Sequence, residues 1–107
     1  MLDFFKVLET AMFLKIISGL DLREGEWVEK MKTQLSENPF AGKPLRFDWF
    51  REKKFEDKRL YYLVSRTNKT VILFSFGNKK GQRKFLHEAF SNKDELLRLL
   101  NGINERA

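Results

Sequence analysis

The sequence has no cysteine, one histidine and two prolines among its 107 residues. Without cysteine it can form neither disulfides nor thiolate metal sites, and His87 alone cannot build a Cys/His or HExxH zinc site. No apolar run approaches the roughly 20 residues of a membrane span. The first residues also lack the basic region and cleavage site of a signal peptide. We therefore expect a cytoplasmic protein with no metal, no small-molecule cofactor and no membrane contact.

Common enzyme motifs are missing as well. The sequence contains no Walker loop, no Gly-x-Gly-x-x-Gly and no nucleophile elbow. The length fits one domain and is too short for two. Hydrophobic residues make up 42% of the chain, including 11 phenylalanines, which is enough for one small core. We expect a single domain over residues 1–107.

The positive charge is concentrated in one part of the chain. The net charge is +6, but residues 1–45 and 85–107 are each slightly acidic. Residues 46–84 carry 12 basic and 4 acidic side chains. A concentrated positive field attracts a polyanion, whereas a uniform one serves mainly solubility. The distribution therefore indicates a nucleic-acid partner, with a solvated lysine-rich face as the alternative.

The first half of the chain has the pattern of a strand followed by a helical hairpin. Residues 2–8 are mostly apolar and predict a short strand, and the Thr10 side chain can cap the helix that follows. A second helix fits residues 22–36, and the residue before Pro39 disfavours its continuation. The apolar face of this helix consists of Trp27, Val28, Met31 and Leu35.

The second half changes to the period of strands. Apolar and polar side chains alternate at 45–49, which predicts that a half-buried strand begins there. Two more strands fit 58–66 and 70–76, a basic loop is expected at 79–81, and the last helix begins near Ser91. The predicted fold class is α+β. An antiparallel sheet of about four strands has the helical hairpin packed on one face, with a C-terminal helix, and the other face is free for chemistry.

Basic and aromatic side chains crowd the ends of the predicted strands. They are Arg51, Lys53 and Lys54 on the first strand, Arg59 and Tyr61 on the second, and Lys79, Lys80, Arg83 and Lys84 after the third. Antiparallel neighbours can bring these groups into one patch, where cations neutralise phosphates and aromatic rings stack on unpaired bases. Such a patch can also cleave RNA without a metal, if a base takes the proton of a 2′-hydroxyl and cations stabilise the phosphate.

Three short motifs follow one another in a distinctive order. They are Asn38-Pro39-x-x-Gly42-x-Pro44-Leu45, then Asp-Lys-Arg-Leu-Tyr-Tyr-Leu-Val at 57–64, then Val-Ile-Leu-Phe-Ser-Phe-Gly-Asn-Lys-Lys at 71–80. Over about residues 25–90 this order resembles the RelE/ParE superfamily of toxins. The turn that begins at Gly77 is similar to that of the HigB branch.

The resemblance implies roles for the basic residues. Arg59 matches the family's central arginine, which contacts the scissile phosphate in ribosome-dependent members. Lys53 and Lys54 match, in kind, the lysines that precede that strand. Lys79 or Lys80 matches a second basic residue after the last strand.

The closing segment departs from the family's pattern. Phe85 stands where active relatives often place a tyrosine or a histidine, and a phenylalanine can stack on a base but cannot transfer a proton. His87, two residues later, is an alternative proton carrier. We favour the lysines as proton carriers, because His87 lies beyond the basic turn. The implied RNA contacts are Arg51, Tyr61, Arg83, Lys84 and Phe85.

The function implied by the resemblance is that of a ribosome-dependent mRNA endonuclease toxin. Its partners would be mRNA on the ribosome and a cognate acidic antitoxin, whose charge suits a basic face. Two alternatives stay open. One is a non-catalytic, ParE-like inhibitor of DNA gyrase, and the other is a basic nucleic-acid-binding module unrelated to toxins.

Overall fold

The computed structural model describes residues 4–105, except for the side chains of Lys79, Gln82, Arg83, Phe85, Phe90 and residues 101–105. Its elements are β1 (Lys6–Glu9), α1 (Ala11–Ile17), α2 (Leu22–Glu37), β2 (Lys43–Pro44), β3 (Phe50–Phe55), β4 (Lys58–Ser65), β5 (Thr70–Asn78), α3 (Lys79–Ser91) and α4 (Lys93–Glu105).

The sheet confirms the predicted α+β class and extends the predicted sheet by one strand. Five strands lie in the order β1-β5-β4-β3-β2. Strands β2 to β5 are antiparallel neighbours, as expected for short turns, whereas β1 lies parallel to β5. The sheet is therefore mixed rather than purely antiparallel. A parallel partner needs a long connection, and here α1, α2 and strands β2 to β4 all intervene.

The two N-terminal helices begin at side-chain caps. The Phe13 backbone N–H donates to Thr10 Oγ1 over 3.0 Å, which confirms the predicted cap of α1. At α2, Asp21 and Glu24 form a reciprocal capping box. Helix α2 covers the predicted range and buries the predicted Val28, Met31 and Leu35 against the sheet.

Helices cover both faces of the sheet, so the expectation of a free face is wrong. On one face, α1 and α2 bury a core with the inward residues of β4 and β5. On the other, α3 and α4 contribute Ala89, Leu96 and Leu100 to a second core with Phe50, Tyr61, Leu63 and Ile72. The second face is available for chemistry only where these helices leave the strand ends uncovered.

The predicted strand at 45–49 is also wrong, because this segment is the turn between β2 and β3. The Leu45 N–H donates to the Phe50 carbonyl over 3.0 Å, and the Phe50 N–H donates to the Phe47 carbonyl over 3.1 Å. The rings of Phe47 and Trp49 stack in parallel with centroids 4.8 Å apart. The alternation of apolar residues thus arises from aromatic stacking within a turn and imitates the period of a strand.

The expected basic loop at 79–81 is the first turn of helix α3. Strand β5 runs to Asn78 and the helix starts at the next residue. Ser91 is the last residue of α3, where its hydroxyl donates to the His87 carbonyl over 2.9 Å. The final helix α4 begins only at Lys93. No helix in the described part of the chain has the length and apolar content needed to cross a membrane.

Candidate nucleic-acid interface

The strand register brings the basic strand ends together, as the sequence predicts. Lys54 of β3 lies opposite Arg59 of β4, and Arg59 lies opposite Gly77 of β5. One step further, Lys58 lies opposite Asn78, where helix α3 begins. The two-residue turn between β3 and β4 fixes this register. The end of β3, the start of β4 and the end of β5 therefore lie together at one end of the sheet, where these strands terminate.

A cleft of about 370 Å³ opens beside these strand ends. It is lined by Ala41, Gly42, Lys43, Glu52, Lys53, Lys54 and Arg59. Four of these side chains are cationic and one is a carboxylate, so the lining is strongly positive. We call this set the basic cleft. Cations that surround a concave surface concentrate their field there, which favours an anionic ligand.

Strand alternation divides the cleft residues between the two faces of the sheet. Glu52, Lys54 and Arg59 share the face that carries Tyr61, because they are cross-strand partners or lie two residues apart. Lys53 lies opposite Leu60 and belongs to the other face. Cationic side chains therefore flank the strand ends from both sides.

Arg59 has an uncompensated charge. Its guanidinium donates to two backbone carbonyls, that of Lys58 over 3.1 Å and that of Glu56 over 3.4 Å. Two carboxylates of this region have other partners: Glu56 pairs with Arg23 over 2.6 Å, and Glu24 pairs with Lys58. Among the described residues, no carboxylate lies within ion-pair distance of Arg59. The guanidinium can therefore engage an external anion without breaking an internal ion pair.

Tyr61 shares the face of Arg59 as predicted, but it is not available to stack on RNA. Its side chain is 1% exposed and belongs to the core under α3 and α4. Burial raises the pKa of Tyr61 to about 12, the negative charge of Glu52 adds to this, and the positive charge of Arg59 opposes it. The phenol stays neutral and buried, which contradicts the expected RNA contact.

Arg51 is likewise placed inside the protein, contrary to its expected contact with RNA. Its Nε donates to the Gly42 carbonyl over 3.0 Å, and its Nη1 donates to the carbonyl and the carboxylate of Asp48, each over 2.9 Å. The other Asp48 oxygen accepts from Arg66 over 2.9 Å. Both guanidiniums lie over the Phe40 ring, at 5.1 Å for Arg51 and 3.9 Å for Arg66. We call Phe40, Asp48, Arg51 and Arg66 the arginine clamp.

The pKa of Asp48, the one carboxyl group of the arginine clamp, reflects the two guanidiniums beside it. The hydrogen bond from Arg66 lowers the pKa of Asp48, partial desolvation opposes this, and Arg51 lowers it further. Asp48 is therefore ionised at neutral pH and balances part of the charge of two arginines.

A buried tyrosine fixes the loop that forms one wall of the cleft. The Tyr62 hydroxyl donates to the Pro39 carbonyl over 2.9 Å and accepts from the Gly42 N–H over 2.9 Å. A Cβ atom at Gly42 would lie 2.5 Å from the Tyr62 hydroxyl and 2.5 Å from the Glu52 carbonyl oxygen. Only glycine allows this close approach, which gives the Gly42 of the sequence motif a physical role.

The remaining predicted residues lie on α3. Lys80, Lys84 and His87 have exposed side chains on this helix and are not among the residues that line the cleft. The side chains of Lys79, Arg83 and Phe85 lie outside the described residues. Helix α3 starts beside Lys58, so its first turn is close to the strand ends that line the cleft.

Two cleft residues do not follow from the strand pattern alone. Lys43 belongs to a strand of only two residues, which is too short for a periodic signal, and Glu52 sits among the lysines of β3. The signal for Lys43 is its place in the Gly42-Lys43-Pro44 motif. No group of three metal-ligating side chains occurs in the described parts of the chain.

This arrangement of strands and helices occurs in solved toxin structures. The chain superposes on the E. coli toxin RelE, in a mutant form in the free state, with a TM-score of 0.70 and 21% identity, covering 82% of this chain and 96% of that one. The chain has the RelE fold. No protein-family profile and no curated protein sequence matches it.

Two toxin–antitoxin complexes contain chains with the same RelE fold. The RelBE2 complex of Mycobacterium tuberculosis matches with a TM-score of 0.64 and 22% identity, covering 74% of this chain and 95% of that one. The archaeal RelE–RelB complex of Pyrococcus horikoshii matches with a TM-score of 0.63 and 14% identity, covering 70% and 94%. The RelE fold thus accounts for nearly the whole length of these chains.

Proposed function

We propose that the protein is the toxin of a toxin–antitoxin pair and that it cleaves mRNA on the ribosome, in the cytoplasm. The observation that carries this proposal is Arg59, whose guanidinium has no counter-ion among the described residues and lies among three lysines of the basic cleft in a RelE fold. A phosphodiester is the ligand whose charge and geometry suit an arginine in such a cleft.

The cleft suits a cleavage that uses the RNA's own 2′-hydroxyl. A base removes the proton of this hydroxyl, its oxygen attacks the neighbouring phosphorus, and the bond to the 5′-oxygen breaks as that oxygen takes up a proton. The products are a 2′,3′-cyclic phosphate and a 5′-hydroxyl. Arg59 and Lys54 would stabilise the charge that gathers on the phosphate.

The mechanism needs a base for the proton of the 2′-hydroxyl and an acid for the departing 5′-oxygen. Lys53 and Lys54 line the cleft, whereas His87 is exposed on α3 and does not. We therefore favour the two lysines, with Lys79 and Lys80 of the first turn of α3 as the next candidates. Metal ions have no step in this mechanism, since the hydroxyl, the base and the cations suffice.

The test is to express the chain in growing cells and to follow protein and DNA synthesis separately. We expect growth arrest with a rapid stop of amino-acid incorporation, together with mRNA cut within its coding regions and ending in cyclic phosphates. Broken chromosomal DNA with continuing translation would instead indicate a gyrase inhibitor. Unaffected growth at high expression would contradict a toxin.

An acidic antitoxin is the proposed partner, because two of the RelE-fold chains above were solved in toxin–antitoxin complexes. A negatively charged segment would complement the basic cleft. Co-expression of a small acidic protein from the adjacent reading frame is expected to restore growth. The same protein with its acidic residues replaced by amides is expected to restore it poorly.

A further inference from the structure

Lys43 is the one cation of the basic cleft that lies outside the basic segment of the chain. It belongs to β2, the strand at the far edge of the sheet, and lies directly opposite Glu52. Its side chain is exposed and lines the cleft together with Arg59. Cross-strand partners share a face, so Lys43 points to the same side of the sheet as Arg59.

The backbone before Lys43 is fixed from both sides. The N–H of Gly42 donates to the Tyr62 hydroxyl over 2.9 Å, and the carbonyl of Gly42 accepts from Arg51 Nε over 3.0 Å. That carbonyl belongs to the peptide bond that leads into Lys43. Tyr62 is fully buried, so its hydroxyl is a rigid anchor. Both backbone polar groups of Gly42, the residue before the two-residue strand β2, are therefore hydrogen-bonded to side chains.

The charge of Lys43 is also uncompensated within the described chain. No described carboxylate lies within ion-pair distance of its ammonium, although Glu52 is its cross-strand neighbour. Lys43 and Arg59 stand on either side of β3, on strands that are two spacings, or about 10 Å, apart. Lys43 is level with Tyr61, and Arg59 lies two residues away from Tyr61 along β4, so the two residues are offset along the strands as well as across them. Cationic side chains that start from such separate backbone positions suit two different phosphates of one strand better than a single phosphate.

We infer that Lys43 is a phosphate-binding residue of the cleft and holds a phosphate next to the one engaged by Arg59. This inference rests on the proposed function, because it takes the ligand of the cleft to be RNA. It assigns β2 a part in binding, so that the RNA runs across the ends of the strands from β4 over β3 to β2. Phosphate contacts of this kind position the strand and carry no sequence preference.

The experiment measures the binding of a short single-stranded 2′-O-methyl oligoribonucleotide, which lacks the nucleophilic hydroxyl and so is not cleaved. Affinity is determined over a series of salt concentrations for the parent chain, Lys43→Gln, Lys43→Arg and Arg59→Ala. Lys30→Gln is the matched control, because Lys30 is an exposed lysine on α2 that is not among the cleft-lining residues.

We expect Lys43→Gln to weaken binding and to reduce the slope of log affinity against log salt by about 0.7, the value for one phosphate of a single strand. Lys43→Arg is expected to keep the parental slope, and Lys30→Gln to keep both slope and affinity. Circular dichroism would show that Lys43→Gln is folded, as its exposed side chain leads us to expect.

Two other outcomes separate the two proposals. If Arg59→Ala weakens binding while Lys43→Gln behaves like Lys30→Gln, the role of Lys43 is refuted and the proposed function stands. If the parent chain does not bind the oligonucleotide even at low salt, the role of Lys43 is refuted, whereas the proposed function is decided separately by the expression experiment.

Discussion

The basic cleft and the arginine clamp place the same kind of side chain in opposite situations. In the clamp, Asp48 accepts from both Arg51 and Arg66, and Phe40 lies beneath the two guanidiniums. In the cleft, Arg59 donates to backbone carbonyls, and no carboxylate of the described residues lies within ion-pair distance of it.

The difference separates a structural arginine from a binding one. Asp48 offsets part of the clamp's charge, so its guanidiniums are engaged in fixing a loop. The cleft retains a net positive charge that only an external anion can balance. The count of basic residues in 46–84 does not distinguish the two, because Arg51 and Arg59 contribute equally to it. The position of the acidic partners decides which arginine is available.

Two single variants, Arg59→Ala and Arg66→Ala, give the strongest test of this comparison. Both are arginines near the ends of β4, Arg59 as its second residue and Arg66 just after it, but of the two only Arg66 has a carboxylate partner among the described residues. We expect Arg59→Ala to lower the rate of mRNA cleavage on ribosomes by roughly 10²–10³-fold, the usual loss for one electrostatic contact to the reacting group. Arg66→Ala is expected to cleave at nearly the parental rate. Equal losses in the two variants would remove the distinction between cleft and clamp.

Replacing Arg51 tests the structural side. Its side chain is buried and its donors reach Gly42 and Asp48, so truncation removes the side-chain donor of the buried Gly42 carbonyl and one partner of Asp48. We expect Arg51→Ala to lower the free energy of unfolding by about 2–3 kcal/mol, as measured by urea denaturation. Arg59→Ala in the same assay is expected to change stability little. A fully stable Arg51→Ala variant would contradict the role of the clamp.

Gly42 and Gly25 form a matched pair of glycines. A methyl group at Gly42 would meet the Tyr62 hydroxyl and the Glu52 carbonyl, whereas nothing lies within 4 Å of one at Gly25. We expect Gly42→Ala to lower the free energy of unfolding by about 1–3 kcal/mol through overpacking. Gly25→Ala, within α2, is expected to raise it by up to about 1 kcal/mol through helix propensity. Thermal melting of both variants would check the opposite signs.

The smallest effect is expected at Asp48. Its folded-state pKa lies below the ordinary value of 3.8 for an aspartate, so its stabilising contribution is fully present above that pH and is lost as the pH falls through the folded-state pKa. We expect Asp48→Asn to melt slightly below the parent at neutral pH. The difference is expected to vanish as the pH is lowered below 3.8. A difference that persists in acid would indicate a role other than charge.

Much of the fold follows from local patterns. The cap at Thr10, the apolar face of α2 and the three-strand meander are all encoded within a few residues of one another. The segment at 45–49 misleads because two stacked rings at i and i+2 imitate a strand. The parallel pairing of β1 leaves no local trace, since it depends on a partner more than 60 residues away.

The candidate site could be predicted only in outline. The convergence of the strand ends follows from antiparallel register, which makes Lys54 and Arg59 cross-strand neighbours. The burial of Tyr61 and Arg51 could not be predicted, because it depends on α3, α4 and a loop that approach from distant parts of the sequence. Lys43 could not be predicted from a strand pattern either, because a two-residue strand is too short to show an alternation of side chains.

The parallel strand β1 also bears on the order in which the protein folds. Lys6 pairs with Thr70, 64 positions later, whereas β3, β4 and β5 are joined by turns of two and four residues. Closing a long loop costs more chain entropy than closing a tight turn, so the meander is expected to form first. The strand that is synthesised first would then be the last to join the sheet. A nascent chain would carry most of its basic cleft before its N-terminal edge is closed.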